Sequence, residues 1–467
     1  MDFLMGLPFL LLLISIAAIP FISRRWWDKW YPAVSLGLGG VTVVSYYLTR
    51  PSFERMIHTT GEYGSFIVLL GSLFVVAGGI LIRIRGKSTP LTNVALLAVG
   101  AIVSNVLGTT GASMILIRPF LRSNRYRLRG YHTVFFIFVV SNIGGALTPI
   151  GDPPLFLGYL RGVPFLWVFS GLWHMWLLTL IPVLLTFFVI DTLDFRKFER
   201  SPARIPAEEL HEEAEVSGLQ NIIFLAAIIG AVFIQHPPFA REAVMILAAV
   251  SSYFMTPRGI HRKNDFNFGP IKEVAILFAG IFATMVPALE WLEANATTLG
   301  LRTSGQFFWG TGLLSSVLDN APTYLNFLTA AIGLLVRPET VQHVASHLPH
   351  SAADLANLGV LSDDVRNTIL VLWNYHQDLV ISGRIGVSEI QIAYLLANHS
   401  LYVQAVSFGA VVFGAMTYIG NGPNFMVKSI AERSGVEVPG FVEYIIRYAV
   451  PLLLPVFFIV WLTIFSG

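Results

Sequence analysis

Long apolar runs separated by short polar loops set the pattern of this chain, and several runs are interrupted from within. Spans are expected at roughly 3–20, 31–48 and 64–82, followed by two shorter apolar pieces at 91–104 and 111–120, an interrupted run at 131–160 and a continuous one at 164–190. After a polar stretch the order returns: spans at about 219–236, 240–256 and 270–290, an interrupted pair at 304–334, a long polar connection at 335–372, a helical piece within 373–400, an interrupted run at 401–433 and a closing run at 438–464. A helix rises 1.5 Å per residue and a hydrocarbon core is about 30 Å thick, so neither 91–104 nor 111–120 reaches across alone. Together they predict a re-entrant hairpin that returns to the side it left, about 91–120, with a second at about 304–334.

The interruptions share a chemistry. SNIGGALTPIGDPP at 141–154 sets an acid, a threonine, an asparagine and Pro149, Pro153 and Pro154 inside an apolar run. Proline removes backbone donors and glycine allows dihedrals a helix does not use, so a broken helix follows. TYIGNGPNFM at 417–426 repeats the layout, with Asn421 in the place of Asp152. Upstream of each break lies a polar hairpin tip, SNVLGTTGAS at 104–113 and SSVLDNAPT at 315–323. The repeated order predicts an internal duplication: an all-α polytopic membrane protein of two inverted repeats, each of about five transmembrane helices with one re-entrant hairpin and one broken helix. The first repeat is placed at 1–190, a cytoplasmic linker at 191–217 and the second repeat at 218–467, with the broken helices at about 131–160 and 401–433.

Composition narrows the class. Hydrophobic residues make up 55% of the 467 and charged residues 12%, against about 25% charged in soluble domains. An integral membrane protein follows, with the lipid bilayer as a partner. Most of the 30 Lys and Arg fall in loops on one side of the expected topology, which the positive-inside rule makes cytoplasmic; the bacterial cytoplasmic (inner) membrane is the expected location. The net charge of +2 has no clustered basic face for nucleic acid. With no cysteine, disulfides and thiol metal sites are excluded. Neither a zinc-protease helix, nor a phosphate loop, nor a serine-hydrolase context is present, so neither an enzyme nor an ATP-driven pump is expected, and no cofactor.

Buried acids carry the candidate chemistry. Asp319 and Asp152 are the expected proton-coupling residues and the acidic ligands of a transported monovalent cation, because a carboxylate at membrane depth is costly and usually functional. Helix capping is the bland reading of both, and the neutral counterpart Asn421 weakens the case for Asp152. Neutral oxygens that a cation or substrate could use come from Asn105, Thr109 and Thr110 at the first tip, Asn142 and Thr148 at the first break, Ser316 and Asn320 at the second tip, and Thr417, Asn421 and Asn424 at the second break. Glu290 is a weaker proton-relay candidate, and Glu443 with Arg447, four apart, reads as a structural pair.

Through SNIGGALTPIGDPP, LDNAPT and YIGNGPN the chain resembles the ion transporter superfamily, closest in look to NhaD-type sodium/proton antiporters and the arsenite permease and citrate transporter-like proteins grouped with them. The likeness runs from about residue 60 to the end. It implies inverted repeats, a site between hairpin tips and helix breaks, and frequent dimers. The expected function is proton-coupled efflux of sodium, or lithium, by alternating access, with sodium and protons as the transported partners and a homodimer as the assembly. The alternative is a sodium- or proton-coupled symporter of an anion such as citrate, or an arsenite permease. An anion site would need converging backbone donors at half-helix starts or an intramembrane arginine.

Overall fold

The computed structural model describes residues 3–49, 53–83, 89–199, 215–234, 237, 239–264, 266–349 and 351–466. The chain is a largely α-helical polytopic membrane protein. Among the described residues seven helical stretches are long and apolar enough to cross a membrane by length and composition, Pro90–Ser123 and Gly130–Leu147 among them, or eight if a bent pair counts as one span. In order the helices are α1 (Leu7–Ile22), α2 (Arg24–Thr49), α3 (Glu54–Gly78), α4 (Pro90–Ser123), α5 (Gly130–Val139), α6 (Pro153–Leu160) and α7 (Phe165–Glu199). There follow α8 (Asn221–Val232), α9 (Ala240–Met255), α10 (Arg258–Lys263), α11 (Gly269–Asn295), α12 (Ser304–Ser315) and α13 (Asn320–Leu335). The last are α14 (Pro338–Ser346), α15 (Asp363–Ile381), α16 (Val387–Asn398), α17 (Ser400–Phe413), α18 (Gly422–Arg433) and α19 (Phe441–Phe465). Two short strands, β1 (Leu81–Arg83) and β2 (Glu215–Ser217), pair antiparallel with Leu81 opposite Ser217.

α4 is helical in its local bonding from end to end, yet it is not one rod. Gly108 breaks it with φ 73 and ψ 156. Asn93 near its start donates to Asn124 just past its end at 2.8 Å, and Asn124 donates back at 2.9 Å. These residues are 31 apart, which a straight helix would turn into about 46 Å. The chain therefore folds back at Gly108 into a helical hairpin. Only glycine adopts that positive φ at no cost, and a Cβ there would sit 3.3 Å from the Ile150 carbonyl oxygen. α12 and α13 fold back in the same way, bringing the Phe307 and Phe327 rings to 6.2 Å.

Several boundaries differ from the sequence reading. α3 begins at Glu54, inside a stretch that looked like a polar loop, and α7 runs to Glu199, well into the expected linker. Residues 200–214 of that linker lie outside the described residues. The expected polar connection at 335–372 is mostly helical, holding α14, a 3-10 stretch at Ala352–Val360 and the start of α15. Its buried Val365, Thr368, Ile369 and Leu372 follow the i, i+3, i+4, i+7 spacing of one helix face, but Asp363, Asp364 and Arg366 dilute the apolar signal. α16 then turns through 103° into α17.

The helices pack in two groups. α1, α2, α3, α8, α9 and α11 pack on one another; α4 to α7, α12, α13 and α17 to α19 form the second group. The groups meet where α3 touches α4 and α6, and where α11 touches α13. α5 is buried along its whole length from Tyr131 to Val139, because the other core helices surround it. That puts the broken segment after it, and Asp152, in the middle of the second group.

Candidate functional site

Freed backbone groups at a break must find partners away from water. At the first break the chain passes through a 3-10 turn, Ile143–Leu147, then an extended Thr148, and re-enters helix at Pro153. Asn105 at the first hairpin tip accounts for much of the deficit. Its amide donates to the carbonyls of Ala101 (3.0 Å) and Gly144 (2.6 Å), and its Oδ1 accepts the Leu147 N–H at 2.9 Å. Thr148 Oγ1 donates to the Asn105 carbonyl at 2.6 Å and accepts the Gly151 N–H at 3.1 Å. The Thr109 N–H donates to the Gly151 carbonyl at 2.8 Å.

The second break repeats the threonine bonds. Thr417 Oγ1 donates to the Ser316 carbonyl at 2.6 Å and accepts the Gly420 N–H at 3.1 Å. Close approach of backbone recurs too. A Cβ on Gly145 would lie 2.7 Å from the Gly151 oxygen, and one on Gly420 would lie 2.7 Å from the Gly414 oxygen. The two breaks also bond to each other. Asn142 donates to Asn424 Oδ1 at 2.7 Å, while Asn424 donates to the carbonyls of Gly414 (2.8 Å) and Thr417 (2.9 Å).

Asp152 is where all four elements meet. It is 1% exposed. Its Oδ1 accepts the Thr109 hydroxyl at 2.7 Å and the Asn421 amide at 3.0 Å; its Oδ2 accepts the Asn320 amide at 2.5 Å. Each partner stands at a helix start. Thr109 follows the Gly108 break, Asn320 opens α13, Asn421 is the N-cap of α18, and Asp152 itself is the N-cap of α6. Helix starts carry a partial positive charge of about +0.5, so four of them amount to roughly +2 around this carboxylate. The Oδ1 atoms of Asn142 and Asn320 are buried with no hydrogen-bond partner among the described residues.

Asp319 has a different setting from Asp152. It is half-buried, its Oδ1 accepts the Ala321 N–H at 3.1 Å and its carbonyl accepts the Thr323 hydroxyl at 2.9 Å. It caps α13 beside the junction. Ser316 enters through its carbonyl, since its own hydroxyl bonds back to Leu313 at 2.7 Å. Thr110 is half-buried beside Thr109 and its hydroxyl joins none of these bonds among the described residues. Glu290 lies elsewhere, accepting from Tyr46 at 2.6 Å, and Glu443 pairs with Arg447 at 3.0 Å.

One buried polar cluster has no counterpart in the sequence reading. Asp191 on α7 accepts from Asn93 (2.9 Å), Tyr131 (2.7 Å) and Arg127, with His132 Nε2 at 3.2 Å. It fastens the base of the first hairpin to α5 and α7. Phe187, one turn earlier on the same buried face, packs beside it, but within the apolar run LLTFFVI it gives no sign of the cluster.

No curated protein matches the chain. One family model, described as "Putative citrate transport", matches residues 1–465. The match falls on the citrate branch of the superfamily rather than on the NhaD-type exchangers. The chain therefore belongs to that citrate-transport family, a family of membrane transporters and not of enzymes.

Proposed function

We propose that the protein is a cation-coupled secondary transporter of a carboxylate anion of the citrate class, working by alternating access at the junction around Asp152. The observation that carries this reading is the convergence of four helix starts on one buried carboxylate. Their combined charge of about +2 is enough to offset Asp152 and Asp319 when both are ionised. A bound cation then tips the local field toward an anion, which makes uptake of the two interdependent. The Oδ1 atoms of Asn142 and Asn320, without a hydrogen-bond partner among the described residues, are the neutral oxygens that a sodium ion would use.

The same reading treats 1–190 and 218–467 as inverted repeats joined by the 191–217 linker, with hairpins entering from opposite faces. The matching bonds of Thr148 and Thr417 support it. It places the basic loops in the cytoplasm of a bacterial cell and the chain in the inner membrane. A homodimer is expected to hold the first helix group still; native mass measurement in mild detergent finding only monomer removes that part.

Exchange of sodium or lithium for protons is the second reading, favoured by the acids at the junction. Proteoliposomes separate the two. Labelled citrate is expected to accumulate under an inward sodium or proton gradient. Proton release on adding sodium, with no citrate uptake under either gradient, overturns the anion reading in favour of exchange.

A further inference from the structure

α6 is a short rod of eight residues with Asp152 at its start and Arg161 at its end. The Arg161 guanidinium grips Glu62 on α3 with two contacts, Nε to Oε1 at 2.7 Å and Nη2 to Oε2 at 3.0 Å. Glu62 is 7% exposed, and His58 Nδ1 stands 3.5 Å from its Oε1. Beside it the Tyr159 hydroxyl donates to the Val232 carbonyl of α8 at 2.8 Å and faces Arg241. The phenyl rings of Phe165 and Phe233 close the corner at 4.8 Å. Apart from His58–Glu62, which lies within α3, these contacts join the second helix group to the first. Away from this corner the boundary includes plain apolar contact, as where Gly111 faces Ala77 and Gly108 faces Leu73.

Apolar surfaces slide with little preference for register, whereas a buried carboxylate gripped at both oxygens by one guanidinium has one good geometry. We propose that Glu62–Arg161 is a latch between the two helix groups, holding the site-bearing helix α6 in the present arrangement and released when the groups shift. The proposal rests on alternating access at the Asp152 junction but needs no cargo. A pair lost in one arrangement and made in another biases their populations by its differential energy, and that bias is the function of the latch.

The chain has no cysteine, which makes the test direct. A Cβ on Gly111 would stand 3.4 Å from the Ala77 Cβ, about the spacing of a disulfide. Ala77→Cys with Gly111→Cys therefore reports the present arrangement through its rate of oxidative cross-linking in native membranes. Adding Glu62→Gln, or Arg161→Gln, is expected to slow cross-linking about fivefold or more as the population shifts. The charge swap Glu62→Arg with Arg161→Glu is expected to restore it. An unchanged rate in both single variants overturns the proposal, and so does a slow rate that the swap fails to restore in protein that runs monodisperse. Because cross-linking involves no cargo, failure of the citrate reading shows only in the uptake assay.

Discussion

Replacing Asp152 tests the junction most directly, because asparagine and alanine there have different consequences. Asp152 receives three side-chain donors. Hydrogen bonds to a charged acceptor contribute roughly 1.5–3 kcal/mol and neutral ones roughly 0.5–1.5, so Asp152→Asn weakens each bond by about 1 kcal/mol. The asparagine oxygen can keep Thr109 and Asn421. Its amide would face the Asn320 amide, but the Asn320 Oδ1 has no partner among the described residues and can turn to accept. The total cost is about 3 kcal/mol, partly offset because a neutral group is easier to bury. Asp152→Ala leaves three buried donors unmatched at about 1–3 kcal/mol each, a loss comparable to the whole stability of a typical domain, roughly 5–15 kcal/mol. Asp152→Asn is thus expected to be inserted and monodisperse but transport-dead, and Asp152→Ala to be lost from the membrane. Fluorescence-detected gel filtration gives the first readout and labelled citrate uptake at equal expression the second. Equal yields of the two variants, or wild-type uptake by Asp152→Asn, refute the reasoning.

Other positions give sharper or milder outcomes. Asp319→Asn keeps the α13 cap, since Asn and Asp cap equally well, and should preserve yield while shifting the cation concentration for half-maximal uptake; an unchanged cation dependence leaves Asp319 a cap alone. Gly108→Ala forces a Cβ into a left-handed turn 3.3 Å from the Ile150 oxygen, and should cost about 1–3 kcal/mol in thermal-shift measurements and most of the uptake. Asp191→Asn removes the charge opposite buried Arg127 and should cost about 3–5 kcal/mol in a thermal melt, and Asp191→Leu, which also leaves the Asn93 and Tyr131 donors unanswered, should cost more. Thr417→Val should reduce uptake at least as much as Thr148→Val, because both hydroxyls donate to a hairpin-tip carbonyl and accept a glycine N–H and Thr417 accepts the Ile419 N–H besides; a strong effect at Thr148 and none at Thr417 would contradict the equivalence of the breaks.

Much of this was legible in the residues themselves. Proline, glycine and polar residues inside apolar runs mark the breaks at 141–154 and 417–426 and the tips near Gly108 and Asp319, because lipid tolerates free backbone groups only where protein answers them. The partners of the two acids were not legible. Asp152 stands out through partners 43, 168 and 269 residues away, and no local pattern encodes which helix starts will meet. Asp191 was hidden for a related reason. In DTLDFRKFER it looks like part of a solvated charged stretch, and only the packing of α5 against α7 brings Arg127, Tyr131 and His132 around it.

The separation of Asp152 from its partners has a consequence for how the protein is made. A ribosome that has just finished α6 has delivered the acid and Thr109, but Asn320 is still 168 residues ahead and Asn421 is 269. At about 5–20 residues per second the carboxylate waits roughly 15–50 s for its last partner. During that interval the nascent first half carries a half-answered polar knot at membrane depth, and the insertion machinery, a chaperone or trapped water must shelter it. Chains truncated before residue 421 are therefore expected to be cleared from the membrane faster than the full chain, which a pulse-chase of truncated and full-length protein reads.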